Sequence, residues 1–386
     1  MTPSLKHAMD GAEVVALVAD VLRLASQDAP DFRLHALLRL DGFEERTPVV
    51  EELWEGRMPN GQDQAWGAVY KWRCKLTFER RSDLVWLEDK VVQRQLMRSW
   101  PRGSAEPLPS MWFDSGDEAE AEAMLRLRAG QTVVLKPRHA ASGQGLAILR
   151  PGEWLRDQTA DGASARGALS SLVREALTLE CKQGETWQLY QVPKGVGVEP
   201  LYPSLGFCAR EPDRPLELKV QTVWGRCIGA GLHTSQEIWV LPDGRLHRWR
   251  GEFKSKHKCA IQRKYGTLAA GAMSVLEPLL REHWHFIATE SEAIARRWGL
   301  DEVRVDWFLG CPDFGPRICE VTWMGTGGRI PPPLQLVVAE AFVTGHRRRL
   351  ELESQGKVLP VMDTHSVCGA AEPCADLPEE AVLPRE

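Results

Sequence analysis

Two short runs, residues 302–309 and 317–322, constrain this chain more than any other stretch. Each alternates apolar residues with charged or hydroxyl ones, which predicts two neighbouring β-strands. Strand alternation puts Arg304 and Asp306 on one face of the first, and Glu320 and Thr322 on one face of the second. A pair of carboxylates on a sheet face, among valines that face a core, is costly unless it is paired or bound to a metal. Mg²⁺ prefers oxygen ligands and is commonly held by one or two carboxylates together with substrate phosphates. The bland reading is that Arg304 neutralises Asp306 on an exposed face. The residues by themselves leave both readings open. If the carboxylates do converge on a cation, their repulsion is only partly relieved by Arg304, so Glu320→Gln is expected to leave metal-free stability unchanged or slightly raised.

A second signal lies upstream. Residues 132–136 read as a strand that ends on Lys136 and is stopped by Pro137; a loop with Ser142, Gly143 and Gly145 follows, and then the apolar run 146–149. Glycines let backbone N–H groups approach an anion, while a lysine supplies a point charge, so the segment is a candidate phosphate site. It is not a P-loop, since GxxxxGK[ST] is absent, and no GxGxxG follows a strand.

Between the two signals the pattern is mixed. Residues 217–224 and 226–233 alternate around Gly225 as a hairpin, and 237–240 and 245–250 form another across Asp243 and Gly244. Helices are expected from Asp89 to about Trp100, over 117–128, over 168–181, and along a long stretch ending at Trp298 whose Trp284, Ile287 and Ile294 recur on one face. Short strands are expected at 111–113, 187–192 and 196–199. Helical patterns also mark residues 9–28, 48–55 and 334–343, the last after a glycine- and proline-rich loop over 325–333.

Composition narrows the class. With 386 residues, two or three packed subdomains are the expectation, and 43% hydrophobic residues suffice for a core. The net charge of −5 is concentrated in residues 371–386, where five acids face only Arg385. The near-neutral body is no footprint for nucleic acid. Nine cysteines without a CxxC pair argue against a zinc ribbon or a disulfide scaffold, and read as reduced thiols. Neither a secretory signal nor an apolar run long enough to span a bilayer is visible, so a soluble, cytoplasmic protein without membrane partners is expected. Residues 245–264 hold eight lysines and arginines, read as a solvated loop before a lid over phosphate or an acidic substrate. His283 and His285 fall on different helix faces and make a poor metal site.

Taken together, the order of these elements over residues 85–345 resembles the ATP-grasp superfamily. Leu87 to Lys90, Val134 to Pro137, Leu216 to Lys219, Arg304 to Asp306 and Cys319 to Thr322 resemble the branch associated with teichuronopeptide biosynthesis. The resemblance implies an α/β ATP-grasp fold: an N-terminal helical region (1–84), a first α+β subdomain with the glycine loop (85–195), a second with the metal site (196–345), and a disordered tail (346–386). It implies ATP and Mg²⁺ as cofactors. Lys90 and Lys136 would contact the phosphates, with Ser142, Gly143 and Gly145 as a lid over them. Glu199 would bind the adenosine moiety at a hinge, and Lys219 would reach the nucleotide. Asp306, Glu320 and Thr322 would hold the metal, and Arg304 would face the transferred phosphoryl group. The implied activity joins a small-molecule carboxylate to an amine through an acylphosphate; a kinase acting on a hydroxyl or sugar and a non-catalytic nucleotide-binding module are the alternatives.

Overall fold

The computed structural model describes residues 88–98, 105–141, 143–152, 162–180, 192–208, 214–233, 235–248, 271–298, 300, 302–323 and 354–356, to which every structural statement below refers. The helices expected over 9–28, 48–55 and 334–343, the extended stretch before residue 192, the loop 325–333, most of the basic run, nearly all of the tail, and Ser142 lie outside them.

Helix α1 (Lys90–Arg98) comes first, with Asp89 as its cap: the Val91 N–H donates to Asp89 Oδ1 at 2.9 Å. After β1 (Met111–Phe113), helix α2 (Gly116–Arg128) carries Asp117 and Glu118 in its first turn and Arg126 and Arg128 in its last, complementing the helix dipole at both ends. Strands β2 (Val133–Pro137) and β3 (Ala147–Leu149), helix α3 (Gly162–Thr178) and strand β4 (Val196–Pro200) complete a first unit. Its sheet is antiparallel with the order β1-β4-β2-β3. Ala119, Ala123 and Leu127 of α2 and Leu169, Val173 and Ala176 of α3 bury its apolar face. The expected subdomain boundary at residue 195/196 therefore falls one strand early, because β4 pairs with β1 and β2 rather than with any strand of the second sheet.

The second unit contains β5 (Leu216–Val223), β6 (Arg226–Leu232), β7 (Ser235–Val240), β8 (Leu246–Arg248), α4 (Ala272–Arg297), β9 (Glu302–Leu309) and β10 (Arg317–Trp323). Its antiparallel sheet has the order β10-β9-β5-β6-β7-β8, and both expected hairpins are in it. One face, with Leu218, Val220, Val303, Val305 and Trp307, packs on Leu276, Leu280, Trp284, Ile287 and Ile294 of α4. The expected α/β class thus takes the form of two α+β units. No helix among the described residues is long and apolar enough to cross a membrane.

Candidate functional site

The other face of the larger sheet is polar yet largely buried. Period-two alternation lines up Glu217, Lys219 and Gln221 on β5 with Glu302, Arg304 and Asp306 on β9, and Lys219 lies directly opposite Asp306. On β10 a regular strand would put Glu320 on the same face as Ile318, which is in the core. The register instead shifts between Ile318 and Glu320, so Ile318 opposes Trp307 in the core while Glu320 opposes Asp306 on the polar face. This β-bulge at Cys319 is what delivers the second carboxylate to the first.

Asp306 is 1% exposed and fully engaged. Arg304 donates to it through Nε at 2.7 Å and Nη2 at 3.0 Å, and Lys219 Nζ donates to its Oδ2. Lys219 also reaches Glu217 at 2.5 Å, and His233 Nδ1 lies 3.2 Å from the other Glu217 oxygen. Burial would raise the Glu217 carboxyl, but His233, Lys219 and Arg214 outweigh it and hold the group well below the usual carboxylate range. Glu320 is more open, with a side chain 29% exposed and Lys90 Nζ at 3.9 Å. Burial pushes its carboxyl up, yet Lys90, Arg304, Lys219 and Lys136 together bring it below the ordinary value. The expected repulsion between Asp306 and Glu320 is thus outweighed by the surrounding cations, and Glu320→Gln removes a favourable charge.

The smaller sheet supplies the opposing wall. Lys136, on β2, is 9% exposed and donates to Glu199 on the neighbouring β4 at 2.7 Å. Burial lowers its ammonium, against the pull of Glu199. The Trp112 ring lies over Gly197, where an added Cβ would meet it at 2.8 Å, and the same ring faces Lys136 at 5.8 Å and Arg94 at 5.2 Å. Gly143 and Gly145 turn the β2–β3 loop with φ of 73° and 65°, and a Cβ on Gly145 would meet Pro137 at 2.8 Å.

Helix α1 joins the two walls. Lys90 Nζ donates to the Ala140 carbonyl at 2.6 Å beside the glycine loop and faces Glu320 on the other sheet. Arg94, one turn on, sits 3.4 Å from Glu199. The Gln93 amide donates to the Val321 carbonyl at 2.8 Å and accepts from the Val321 N–H at 3.3 Å, pairing with the outer edge of β10. Arg138 donates to both oxygens of Asp89, at 2.9 and 2.6 Å.

Lys90, Lys136, Arg304, Asp306 and Glu320 therefore belong to one electrostatic cluster at the junction of the sheets. Three sequence assignments meet different partners. Glu199 is a buried partner of Lys136 and Arg94, Lys219 is turned onto Asp306 and Glu217, and the Thr322 hydroxyl accepts from Arg304 at 3.0 Å. Sequence reasoning missed Gln93, Arg94 and Glu217. Arg94 stands four residues after Lys90, a spacing that puts both on one helix face, and Glu217 stands two before Lys219, on one strand face. Among the described residues no group of three His, Cys, Asp or Glu side chains is placed to hold a metal ion. The donor set instead suits a hard cation resting on one or two carboxylates and completed by phosphate oxygens and water.

No family model and no curated protein matches the chain. Among solved structures it is similar to D-alanyl-alanine synthetase A from Vibrio cholerae, with 13% identity over 74% of this chain and 64% of that one, at a TM-score of 0.36. A RiPP-associated ATP-grasp ligase from Chryseobacterium gregarium is similar at 10% identity, 68% and 60% coverage and a TM-score of 0.35. The D-cycloserine synthetase DcsG is similar at 16% identity, 78% and 94% coverage and a TM-score of 0.35. The chain thus spans less than two thirds of the first two structures and nearly the whole of the third.

Proposed function

We propose that this chain is an ATP-dependent carboxylate–amine ligase of the ATP-grasp type, related to the teichuronopeptide-biosynthesis branch and acting in the cytoplasm on small molecules. The observation that carries the reading is the convergence of Lys90 and Lys136 from one side with Arg304, Asp306 and Glu320 from the other, at a junction closed by α1. Cations and carboxylates set against each other in this way suit a triphosphate with its metal, where positioning and charge stabilisation are the main demands of phosphoryl transfer. Lys90 and Lys136 would hold phosphate oxygens, Gly143 and Gly145 would let the loop backbone approach them, and Arg304 would face the phosphoryl group in flight. Glu320, with Asp306 behind it, would carry Mg²⁺, which when bound draws charge off the phosphate oxygens. Glu199 and Lys219 would act by setting Lys136 and Asp306, and Thr322 by setting Arg304.

In that reaction a substrate carboxylate oxygen bonds to the γ-phosphorus as the bridging P–O bond breaks and ADP leaves. The amine nitrogen then bonds to the acyl carbon as the C–O bond to phosphate breaks. The test is ADP release over a panel of amino acids and dicarboxylates, with hydroxylamine as a surrogate amine. Formation of a hydroxamate matched to ADP is the expected result. ADP release with a stable phosphorylated alcohol would identify a kinase, and no ADP release with any acceptor would count against catalysis altogether.

A further inference from the structure

Whether the glycine loop and Glu320 can meet one ligand depends on how far apart the fold holds them. The stem of the β2–β3 loop is tied to its own sheet. The Arg138 N–H donates to the Gly195 carbonyl at 2.8 Å, and His139 Nε2 donates to the Leu179 carbonyl at 2.9 Å. Neither contact fixes the loop relative to the larger sheet.

A second set of contacts leaves the sheet. Arg138 grips Asp89 as a fork, from Nε to Oδ1 at 2.9 Å and from Nη2 to Oδ2 at 2.6 Å. The same Oδ1 accepts the Val91 N–H at 2.9 Å, so one buried carboxylate both caps α1 and holds the loop stem. Lys90 Nζ adds a bond to the Ala140 carbonyl at 2.6 Å. Further along α1, Gln93 pairs with both backbone groups of Val321, the residue after Glu320. Loop stem, Asp89, α1 and β10 thus form one hydrogen-bonded path through the buried side chains of Asp89, Lys90 and Gln93. Arg138 also approaches Asp114 at 3.5 Å, but that carboxylate lies between β1 and α2 of the smaller sheet and is 80% exposed.

We propose that Arg138 is a positioning residue: through Asp89 and α1 it sets the height of the glycine loop over Glu320, and with it the span open to a triphosphate and its metal. The inference rests on the ligase reading, which has the loop and Glu320 hold two parts of one ligand. The geometry demands arginine rather than lysine. Two parallel N–H···O bonds fix an angle as well as a distance, whereas an ammonium supplies a point charge.

The test uses the full chain, Mg²⁺ with the non-hydrolysable analogue AMPPNP, and three single variants. Arg138→Lys keeps the charge and loses the fork; Asp89→Asn keeps a helix cap but sets a donor where Arg138 needs an acceptor. Asp114→Asn cuts only the contact within the smaller sheet. In calorimetry Arg138→Lys and Asp89→Asn should each weaken Mg·AMPPNP by about tenfold, and the double variant by no more than the worse of the two. At saturating ligand, hydrogen exchange should slow in β10 in every protein, but in the β2–β3 loop only in wild type and Asp114→Asn. Wild-type loop protection in Arg138→Lys and Asp89→Asn, additive losses in the double variant, or the same loop defect in Asp114→Asn would each overturn the inference while leaving the ligase reading in place. Failure of the wild-type chain to take up Mg·AMPPNP would overturn both. Should Arg138→Lys not fold, Asp89→Asn, which keeps the cap, decides through loop protection alone.

Discussion

Lys136 carries two duties that pull against each other. Read as a strand-end lysine it is expected to be free for phosphate, and its loss to leave the fold intact. The structure buries it and bonds it to Glu199, with Arg94, at 3.4 Å, as the other cation on that carboxylate among the described residues. Lys136→Met keeps the apolar stem and removes the charge, so Glu199 keeps one partner of two. We expect a loss of about 1–3 kcal/mol in chemical denaturation, together with nucleotide binding weakened by roughly 10- to 100-fold in calorimetry. Unchanged stability with unchanged ATP affinity would remove Lys136 from both roles.

Glu88 makes a prediction in pH. Glu88 is buried, and burial first, then Glu320, raises its folded-state carboxyl from an ordinary 4.5 to about 8, so between those values the folded chain binds the proton that the unfolded chain has lost. Stability attributable to this group therefore falls as pH rises from about 4.5 to about 8 and is level above that. Lys90 and Arg304 oppose the trend, while Glu320 and Glu302 reinforce it. Glu88→Gln should flatten the slope, and its gain over wild type should grow towards pH 8, by a few kcal/mol at most. A gain that shrinks towards pH 8 would contradict the burial argument. None of this was legible from the letters, because a glutamate before a capping aspartate looks like ordinary helix-start chemistry.

At the scale of elements, strands and hairpins read well because their signals are local. Alternation and turn residues found both hairpins of the larger sheet, and β9 runs over the residues that its pattern marks. The bulge did not read. In the sequence Ile318, Glu320 and Thr322 alternate as one face, and only the cross-strand register shows that Cys319 divides them. The assignment of β4 also failed locally, since strand partnership is a tertiary choice between two sheets.

Helix α1 shows what an element adds beyond its own residues. Gln93 is 2% exposed and satisfies both backbone groups of Val321, between the site residues Glu320 and Thr322. Gln93→Leu keeps the bulk and leaves a buried N–H and C=O unpaired, a cost of about 2–4 kcal/mol for the two. Because the same helix sets Lys90, ATP affinity should fall along with stability. A variant that loses stability while ATP affinity holds would show that α1 is scaffold only.

For the whole molecule, the two sheets have separate apolar cores, one under α2 and α3 and one under α4. What joins them is mixed and smaller than either core: α1, the Arg138–Asp89 pair, and an apolar cluster of Leu108, Tyr202 and Cys311 with Phe308 and Phe314, in which the Tyr202 hydroxyl accepts from the Cys311 N–H at 2.9 Å and donates to the Gly315 carbonyl at 2.9 Å. Such a junction is weaker than either core, and a ligand gripping both sides should tighten it most. The proposed site has cations on both walls but carboxylates beside them, so ATP without a divalent ion would meet Glu320 as a like charge. With Mg²⁺, ATP at a hundred times its dissociation constant should stabilise the chain by about 2.7 kcal/mol. Hydrogen exchange should slow first in α1 and in the β2–β3 loop. ATP with EDTA should do neither. Equal protection by ATP with and without Mg²⁺, or protection confined to one sheet, would mean that the nucleotide does not span the junction and that Asp306 and Glu320 serve the fold rather than a metal.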